Sequence, residues 1–304
     1  MNSESLPFIS IVIPTYNRPK QLKACLHSLA RLDYPRDRFE VIVVDDGSPH
    51  PLGEVVALFE KQLDLHLKRQ TNSGPGPARN TGVAHARGEF VFFTDDDCAP
   101  ARNCLQKLAR QFAKTPFLLV GGHTVNALPH NAYATASQLI VDYIYNYYTR
   151  KGEGLFFTSN NMAFPRAAFL EVGGFCEKYH LAASEDREIC RRWILSGREM
   201  AYTPEVVIFH SHAMTLRTFW RQHFTYGRGA WDFHQVDTNI PPSKMEPPSF
   251  YLNMMLYPMK RGRGSRAPYQ CFLMGLSQLA IAVGFFYQKR FSTEAAAKLG
   301  HISP

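Results

Sequence analysis

The six cysteines of this chain, at positions 25, 98, 104, 176, 190 and 271, make no C-x-x-C pair and no zinc-type spacing. That pattern argues against a structural zinc or a thioredoxin-like centre and leaves reduced thiols as the default. The chain also lacks internal repeats and low-complexity segments. Its start, MNSESLPFIS, carries Glu4 and lacks the charged-then-apolar layout of an export signal, so the expectation is a cytoplasmic protein. Neither a P-loop nor G-x-G-x-x-G follows a strand-like run, which disfavours nucleotide hydrolases and dinucleotide dehydrogenases. The stretch Cys271–Tyr287 is 17 uncharged residues, interrupted by Gly275, Ser277, Gln278 and Gly284; a spanning helix wants about 20.

What is present reads as a globular chain. Of 304 residues, 45% are hydrophobic, 20% charged and 13% aromatic, enough to bury one large core or two smaller ones. The net charge of +8 is unevenly placed: residues 1–204 hold 23 basic and 21 acidic residues, and residues 205–304 hold 11 and 5. A basic C-terminal part can be a nucleic-acid patch, an anionic-membrane patch or a solvated surface, and charge alone does not choose among them.

Along the chain, β-branched runs alternate with helical spacing. Ile9–Pro14 ends in Thr15-Tyr16-Asn17, and Leu22, Leu26 and Leu29 then mark a helix. Val41–Val44 stops at Asp45-Asp46-Gly47-Ser48, and Leu52, Val55, Val56 and Phe59 mark a second helix. Leu63–Leu67 is a weaker strand, Gly76–Ala86 a third helix, and Phe90–Phe93 a fourth strand stopped by Thr94 and three aspartates. This alternation predicts an α/β fold, a mainly parallel sheet flanked by helices, because parallel neighbours need a crossover. Ligands of open α/β sheets lie beyond the carboxyl ends of the strands, which is where these polar clusters fall. Further on, the pattern predicts a helix near Asn103–Ala113, an apolar Phe117–Val120, an aromatic helical segment Tyr133–Tyr148, a strand over Phe156–Phe164, a helix Glu188–Leu195 and a strand Val206–Phe209.

Three adjacent carboxylates, Asp95, Asp96 and Asp97, repel one another unless a cation or donors compensate. A divalent metal explains them economically, and oxygen ligands suit Mg²⁺ or Mn²⁺. On an extended segment Asp95 and Asp97 would face one ligand and Asp96 another direction. Asn72–Gly82 sets small residues before a helix N-terminus with Arg79 in its first turn, a plausible anion cradle.

PTYNR at Pro14–Arg18, VVDDGS at Val43–Ser48, NSGPGPARNTG at Asn72–Gly82, the Asp95–Asp97 triplet, GGF at Gly173–Phe175 and SED at Ser184–Asp186 together resemble the family 2 glycosyltransferases of the GT-A fold, over roughly residues 8–215. The resemblance implies a Rossmann-like sheet and an inverting transferase passing a sugar from a nucleotide diphosphate sugar, usually uridine-linked, to an acceptor hydroxyl in glycan, glycolipid or cell-envelope polysaccharide synthesis. It implies that Pro14, Thr15, Tyr16 and Asp45 contact the nucleobase and that Arg79 contacts the base or diphosphate. Asn17, Asp46, Gly74 and Asp96 join the same substrate-binding set. Asp95 would face ribose or metal and Asp97 the metal, Mn²⁺ or Mg²⁺, with one of His210 and His212 completing its coordination. Asp186 corresponds to the catalytic base and Glu185 to its acidic neighbour.

The implied organisation is a transferase domain over 1–215, with a nucleotide-sugar half at 8–100 and an acceptor half at 101–215, and a helical basic and apolar extension over 216–304. The acceptor would be a glycan or lipid-linked molecule; no nucleic-acid partner is expected. The basic cluster Lys260–Arg266 beside Cys271–Tyr287 suits peripheral attachment to an anionic cytoplasmic membrane face, with a packed core helix as the other reading. Two rival functions stand beside the transferase. A sugar-nucleotide-forming nucleotidyltransferase would carry a Gly-rich basic loop after the first strand, where Thr15-Tyr16-Asn17-Arg18 stands instead. A non-catalytic binding module would not need Asp95, Asp97, Asp186 and the histidine pair intact.

Overall fold

The structure, a computed structural model, describes residues 6–151, 156–178, 183–235, 246–262 and 264–300. The first five residues of the N-terminal stretch read above, and Arg263 of the basic cluster, lie outside them. Two compact units emerge: Met1–Ala127, Tyr148–His180 and Glu185–His212 form the first, and Leu128–Tyr147, Leu181–Ser184 and Ala213–Pro304 the second.

The first unit is built on one eight-stranded sheet of β1 (Ile9–Thr15), β2 (Phe39–Asp45), β3 (Leu65–Arg69), β4 (Phe90–Phe93), β5 (Cys98–Pro100), β6 (Leu119–Asn126), β7 (Met162–Pro165) and β8 (Met200–His210), in the order 3-2-1-4-7-6-8-5. The block β3-β2-β1-β4 is parallel throughout. Beyond β4, β7 is antiparallel to β4 and β6, β6 is parallel to β8, and β5 closes antiparallel to β8. Parallel strands are buried on both faces and read as continuous apolar runs; accordingly all seven residues of β2 are buried.

The crossovers are α1 (Pro19–Leu29), α2 (Gly53–Ala57) and α3 (Pro75–Ala84). Helix α1 starts with proline at its first position and buries Leu22, Cys25, Leu26 and Leu29. Helix α3 begins at Pro75 after Gly74, whose φ of 97° is open to glycine but strained for a side chain. A Cβ at Gly82 would sit 2.3 Å from Val12, so α3 lies hard against β1 only because that position is glycine. After β5 come α4 (Cys104–Lys114), α6 (Arg166–Glu171) and α7 (Glu185–Leu195).

Several element expectations need correction. The strand read at Val206–Phe209 is the C-terminal part of β8, a strand that starts at Met200. Phe156–Phe164 is not one strand: Ser159–Asn161 is a 3₁₀ turn, and only Met162–Pro165 pairs in the sheet. The side chains explain it, since Asn161 Nδ2 donates to the carbonyls of His123 and Val206, at 3.1 Å each, in place of a backbone ladder. The helix expected from Glu188 begins three residues earlier, at Glu185. That puts Glu185 and Asp186 in its first turn, where carboxylates meet the positive end of the helix dipole.

In the second unit, α5 (Ala132–Lys151), α8 (Leu216–Gln235), α9 (Pro248–Met255), α10 (Tyr257–Lys260) and α11 (Ala267–Gly300) are helical, α5 belonging to this unit as far as Tyr147. The aromatic spacing read at Tyr133–Tyr148 is a packing code: Tyr143 lies 5.2 Å from Phe250 and 5.4 Å from Tyr257, ring centre to ring centre, and Tyr147 4.6 Å from Phe250. These rings join Leu139, Phe219, Met254, Leu273 and Met274 in a separate core. That packing is why Leu128–Tyr147, inside the 101–215 segment of the sequence reading, groups with the C-terminal helices.

Candidate active site

Around β1 and β2, the turns are tied by side chains. Asp45, 1% exposed, accepts from the Ser48 amide at 2.9 Å, and the Ser48 hydroxyl accepts from the Asn17 amide at 2.8 Å. Asn17 holds φ of +54°, uncommon for a non-glycine residue. Both oxygens of buried Asp46 are taken: Gln70 and the Ser73 amide donate to one, the Gly74 amide to the other. Asp46 therefore shapes the turn into α3. Thr15 is buried, Pro14 half-buried and Tyr16 exposed.

The aspartate triplet does not alternate. Asp96 and Asp97 lie in a turn closed by the Cys98 amide donating to the Asp95 carbonyl at 3.1 Å, so the extended arrangement expected of Asp95 and Asp97 gives way. Arg18 straddles the later two, 2.9 Å from Asp96 and 2.5 Å from Asp97. Thr15 donates to Asp96 at 2.7 Å. Burial pushes the Asp96 carboxyl up to about 7 against the opposing pull of Arg18 and Thr15. Arg18 stands inside the PTYNR motif, and its sequence signal is a cation just after β1 in a chain that later places three acids together.

Strand pairing delivers the histidines. Cys98 pairs with His210 across β5 and β8, and the Ser211 amide donates to the Asp97 carbonyl at 2.8 Å. His210 Nε2 and His212 Nδ1 then each lie 3.2 Å from a different oxygen of Asp97. Asp97 is held well below the usual carboxylate range, because the hydrogen bonds from both imidazoles and the charge of Arg18 outweigh its burial. His210 is raised: burial opposes its charge, but Asp97 more than compensates. The sequence could not separate the two histidines, and both meet the same carboxylate.

One ligand atom from each of Asp97, His210 and His212 fits within a 4.8 Å cluster. One carboxylate and two imidazoles form a donor set that fits a divalent cation. Asp95 is not in that group; it accepts from Arg79 Nη2 at 2.8 Å.

Arg79 links the triplet to the other acids. It is 3% exposed and also lies 3.4 Å from Glu185. Asn80, its neighbour, accepts from the Phe175 amide and donates to the Phe175 carbonyl, both at 2.8 Å, and the Arg79 guanidinium sits 5.5 Å from the centre of the Phe175 ring. Gly173 and Gly174, at φ of +89° and +66°, turn the chain so that Phe175 reaches this place. The α3 start, the GGF turn and the α7 start are thus one structure. Asn80 and Phe175 join the site from inside the NSGPGPARNTG and GGF motifs, whose sequence alone assigns neither a role. Glu185 is pushed up to about 7 by burial and by the charge of Asp186, with Arg79 pulling it down. Asp186, half-buried, is raised by burial; its Oδ1 accepts from the Arg187 amide at 2.8 Å. Asp95, Asp96, Asp97 and Glu185 thus share Arg18 and Arg79, and Asp186, which feels the charge of Arg79 and Arg187, adds a fifth carboxylate, a surplus of negative charge that suits a cation.

Comparison with known proteins agrees with this architecture. The family model described as glycosyl transferase family 2 matches residues 10–173, more than half of the chain. The glycosyltransferase AglE of Haloferax volcanii is 27% identical over 243 residues, 77% of each chain. The pre-mycofactocin glycosyltransferase of Mycobacterium tuberculosis is 30% identical over 228 residues, 73% of this chain but 46% of that protein. Among solved structures, the mannosyltransferase PcManGT of Pyrobaculum calidifontis, in complex with GDP-Man and Mn²⁺, superposes with a TM-score of 0.66 at 19% identity, covering 93% of this chain and 88% of that one. With its sheet, its ordered motifs and this match, the chain is a glycosyltransferase of GT-A fold and belongs to glycosyl transferase family 2.

Proposed function

We propose that this protein transfers a sugar, with inversion, from a uridine diphosphate sugar to a hydroxyl of a growing glycan or lipid-linked acceptor, with a divalent cation held by Asp97, His210 and His212. The observation that carries the reading is the meeting of those three side chains beside three more carboxylates, Asp95, Asp96 and Glu185, paired with Arg79 and Arg18. The donor class is supported by TarS of Staphylococcus aureus, named a poly(ribitol-phosphate) β-N-acetylglucosaminyltransferase, which is 43% identical over 90 residues, 29% of this chain. A solved TarS fragment in complex with UDP-GlcNAc has the same fold at a TM-score of 0.54 and 17% identity.

A cation at this site would supply positive charge to the diphosphate as it leaves, and the two imidazoles favour Mn²⁺ over Mg²⁺. The chain's own residues do the rest. The turns at Pro14–Asn17 and Asp45 form the nucleoside side of the site, with Asp46 holding the Gly74 turn. Arg79 keeps Asp95 in place and balances Glu185. Asp186 takes the proton of the acceptor hydroxyl as the new bond forms, and its raised affinity for a proton suits that task. In this reading residues 8–100 serve the donor, 101–215 add the acceptor side, and 216–304 are an extension.

Calorimetry tests the donor claim. UDP-GlcNAc should bind much more weakly in EDTA than with Mn²⁺, and Asp97→Ala should erase that difference by removing the carboxylate both histidines meet. Equal affinity in both buffers sinks the metal reading, and tighter binding of GDP-mannose sinks the uridine one.

A further inference from the structure

In the second unit, α11 is apolar on all sides between Ala267 and Gln288, a run of 22 residues without a charge. Such a helix is expected to be covered all round, by protein or by lipid. Among the described residues only one side is covered. Leu273, Met274, Ser277 and Ala280 are buried, whereas Tyr269, Phe272, Leu279, Val283 and Phe286 are 43–64% exposed. These five recur at intervals of three, seven, four and three residues, which is one face of a helix. Leu252, Leu256 and Met259, of the α9–α10 segment, are also exposed.

The sequence that carries this face is charged with one sign. From Pro247 to Thr293 there is no acidic residue and there are six basic ones: Lys260, Arg261, Arg263, Arg266, Lys289 and Arg290. They bracket the uncharged run at both ends. A second copy of this chain would bring like charge against like, and a soluble partner would need an acidic rim around an apolar centre. An anionic bilayer offers both at once: apolar burial, and about 1 kcal/mol per basic residue near the surface.

We propose that the exposed face of α11 docks in the plane of an anionic lipid bilayer. Length alone would let α11 span, since 22 residues rise about 33 Å, and Gly264–Ser292 has the hydropathy of a candidate span. Its packing says otherwise. A Cβ at Gly227 would lie 2.0 Å from the Ile281 carbonyl oxygen, and one at Gly284 2.0 Å from that of Phe224, so α8 is in backbone contact with the middle of α11. Arg228 donates to Gln288 at 2.8 Å, and Gln288 donates to Asp232 at 3.0 Å. Spanning would carry α8, with Arg217, Arg221, Arg228 and Asp232, into hydrocarbon, whereas in-plane docking leaves it on the protein side.

Flotation of the full chain with vesicles of phosphatidylcholine, alone or mixed with phosphatidylglycerol, tests this. Binding to the mixed vesicles is expected, weakened by salt, with little to the neutral ones. The double variant Phe272→Glu/Phe286→Glu, at positions more than 60% exposed whose rings meet Tyr269 and Phe285 of α11 itself, should lose binding at least about ten-fold while keeping the wild-type melting curve. Carbonate extraction should release the bound protein. Equal binding of wild type and variant overturns the proposal, as does absence of binding to the mixed vesicles, and retention through carbonate overturns the in-plane placement. A wild-type dimer in light scattering that the variant splits, without vesicle binding, gives the face to a second copy instead.

Discussion

The two ends of the parallel strands in the first unit carry the same residue types to opposite effect. At the amino ends, Glu40 of β2 is fully buried, accepting from the Ser10 hydroxyl at 2.6 Å, the Arg87 amide at 2.7 Å and Arg87 Nε at 3.0 Å. Arg87 also pairs with Asp64, and His66 lies 3.1 Å from Asp64 and 3.4 Å from Glu40. Two acids there meet an arginine, a histidine and a backbone donor. At the carboxyl ends, five acids share Arg18, Arg79 and two histidines, and both Asp96 and Glu185 are pushed up to about 7. The lesson is that an acid–arginine–histidine cluster signals chemistry when its charges are left unbalanced, and a structural staple when backbone donors complete it. Both clusters can gather three metal-ligand atoms within 4.8 Å, so proximity alone does not tell them apart.

The contrast is sharpest at Asp186. An acceptor hydroxyl is a poor nucleophile at neutral pH, and a carboxylate in hydrogen-bond reach is worth roughly 10²–10⁴ in rate. Asp186→Asn keeps the shape and loses the basicity, so turnover should fall at least about 100-fold while Mn²⁺-dependent donor affinity stays near wild type. Side-by-side donor calorimetry and transfer assays decide it. Near-normal turnover would move the base elsewhere, and loss of donor binding would place Asp186 with the nucleotide.

Glu185 should show a smaller effect with a pH signature. Glu185→Gln should raise the acceptor KM more than it lowers turnover, if the residue orients rather than accepts the proton. Its carboxyl sits at about 7 in the folded protein against an ordinary 4.5. Between those values the folded state holds more protons than the unfolded one, so this group's contribution to stability falls as pH rises through that window, by up to about 1.4 kcal/mol per pH unit. The variant should lose this slope. Urea unfolding at about pH 5 and about pH 8 measures it, and an unchanged slope would assign the titration to another group.

Much of this comparison was legible in the sequence, because it is written in local runs. The apolar stretches that stop at Asp45 and at Thr94 gave the parallel block, and the triplet, Arg79, the SED segment and the H-x-H pair gave the acids and bases that meet. What was illegible depended on long-range geometry. That Arg18 would clasp Asp96 and Asp97 needed a turn in place of an extended chain at residues 96–97. Ser159–Asn161 reads as strand because no periodicity reveals that Asn161 bonds the carbonyls of His123 and Val206 from the side. The rings of α5 read in the sequence only as an aromatic helical segment, and it takes Phe250 and Tyr257 lying against Tyr143 to make them a core.

The smallest effect on function should come from Glu40, and it is the one that tests the comparison from the other side. Glu40→Gln keeps an oxygen for the Ser10 hydroxyl and the Arg87 amide, but it turns an –NH₂ toward Arg87 Nε, so two donors face each other where a buried carboxylate met an exposed arginine. Losing this hydrogen bond, whose arginine is exposed and screened by solvent, costs about 1 kcal/mol, which should appear as a lower urea midpoint with an unchanged slope. Transfer rate and donor affinity in the folded protein should match wild type, since Glu40 and Ser10 stand at the second residues of β2 and β1, at the end of the strands away from Asp45 and the triplet. A Mn²⁺ titration supplies the second readout. If the amino-end cluster is a staple, wild type and Glu40→Gln take up the same number of ions, and Asp97→Ala takes up one fewer. Loss of an ion in Glu40→Gln would make Glu40, Asp64 and His66 a metal site in their own right, and the distinction between the two ends would fail.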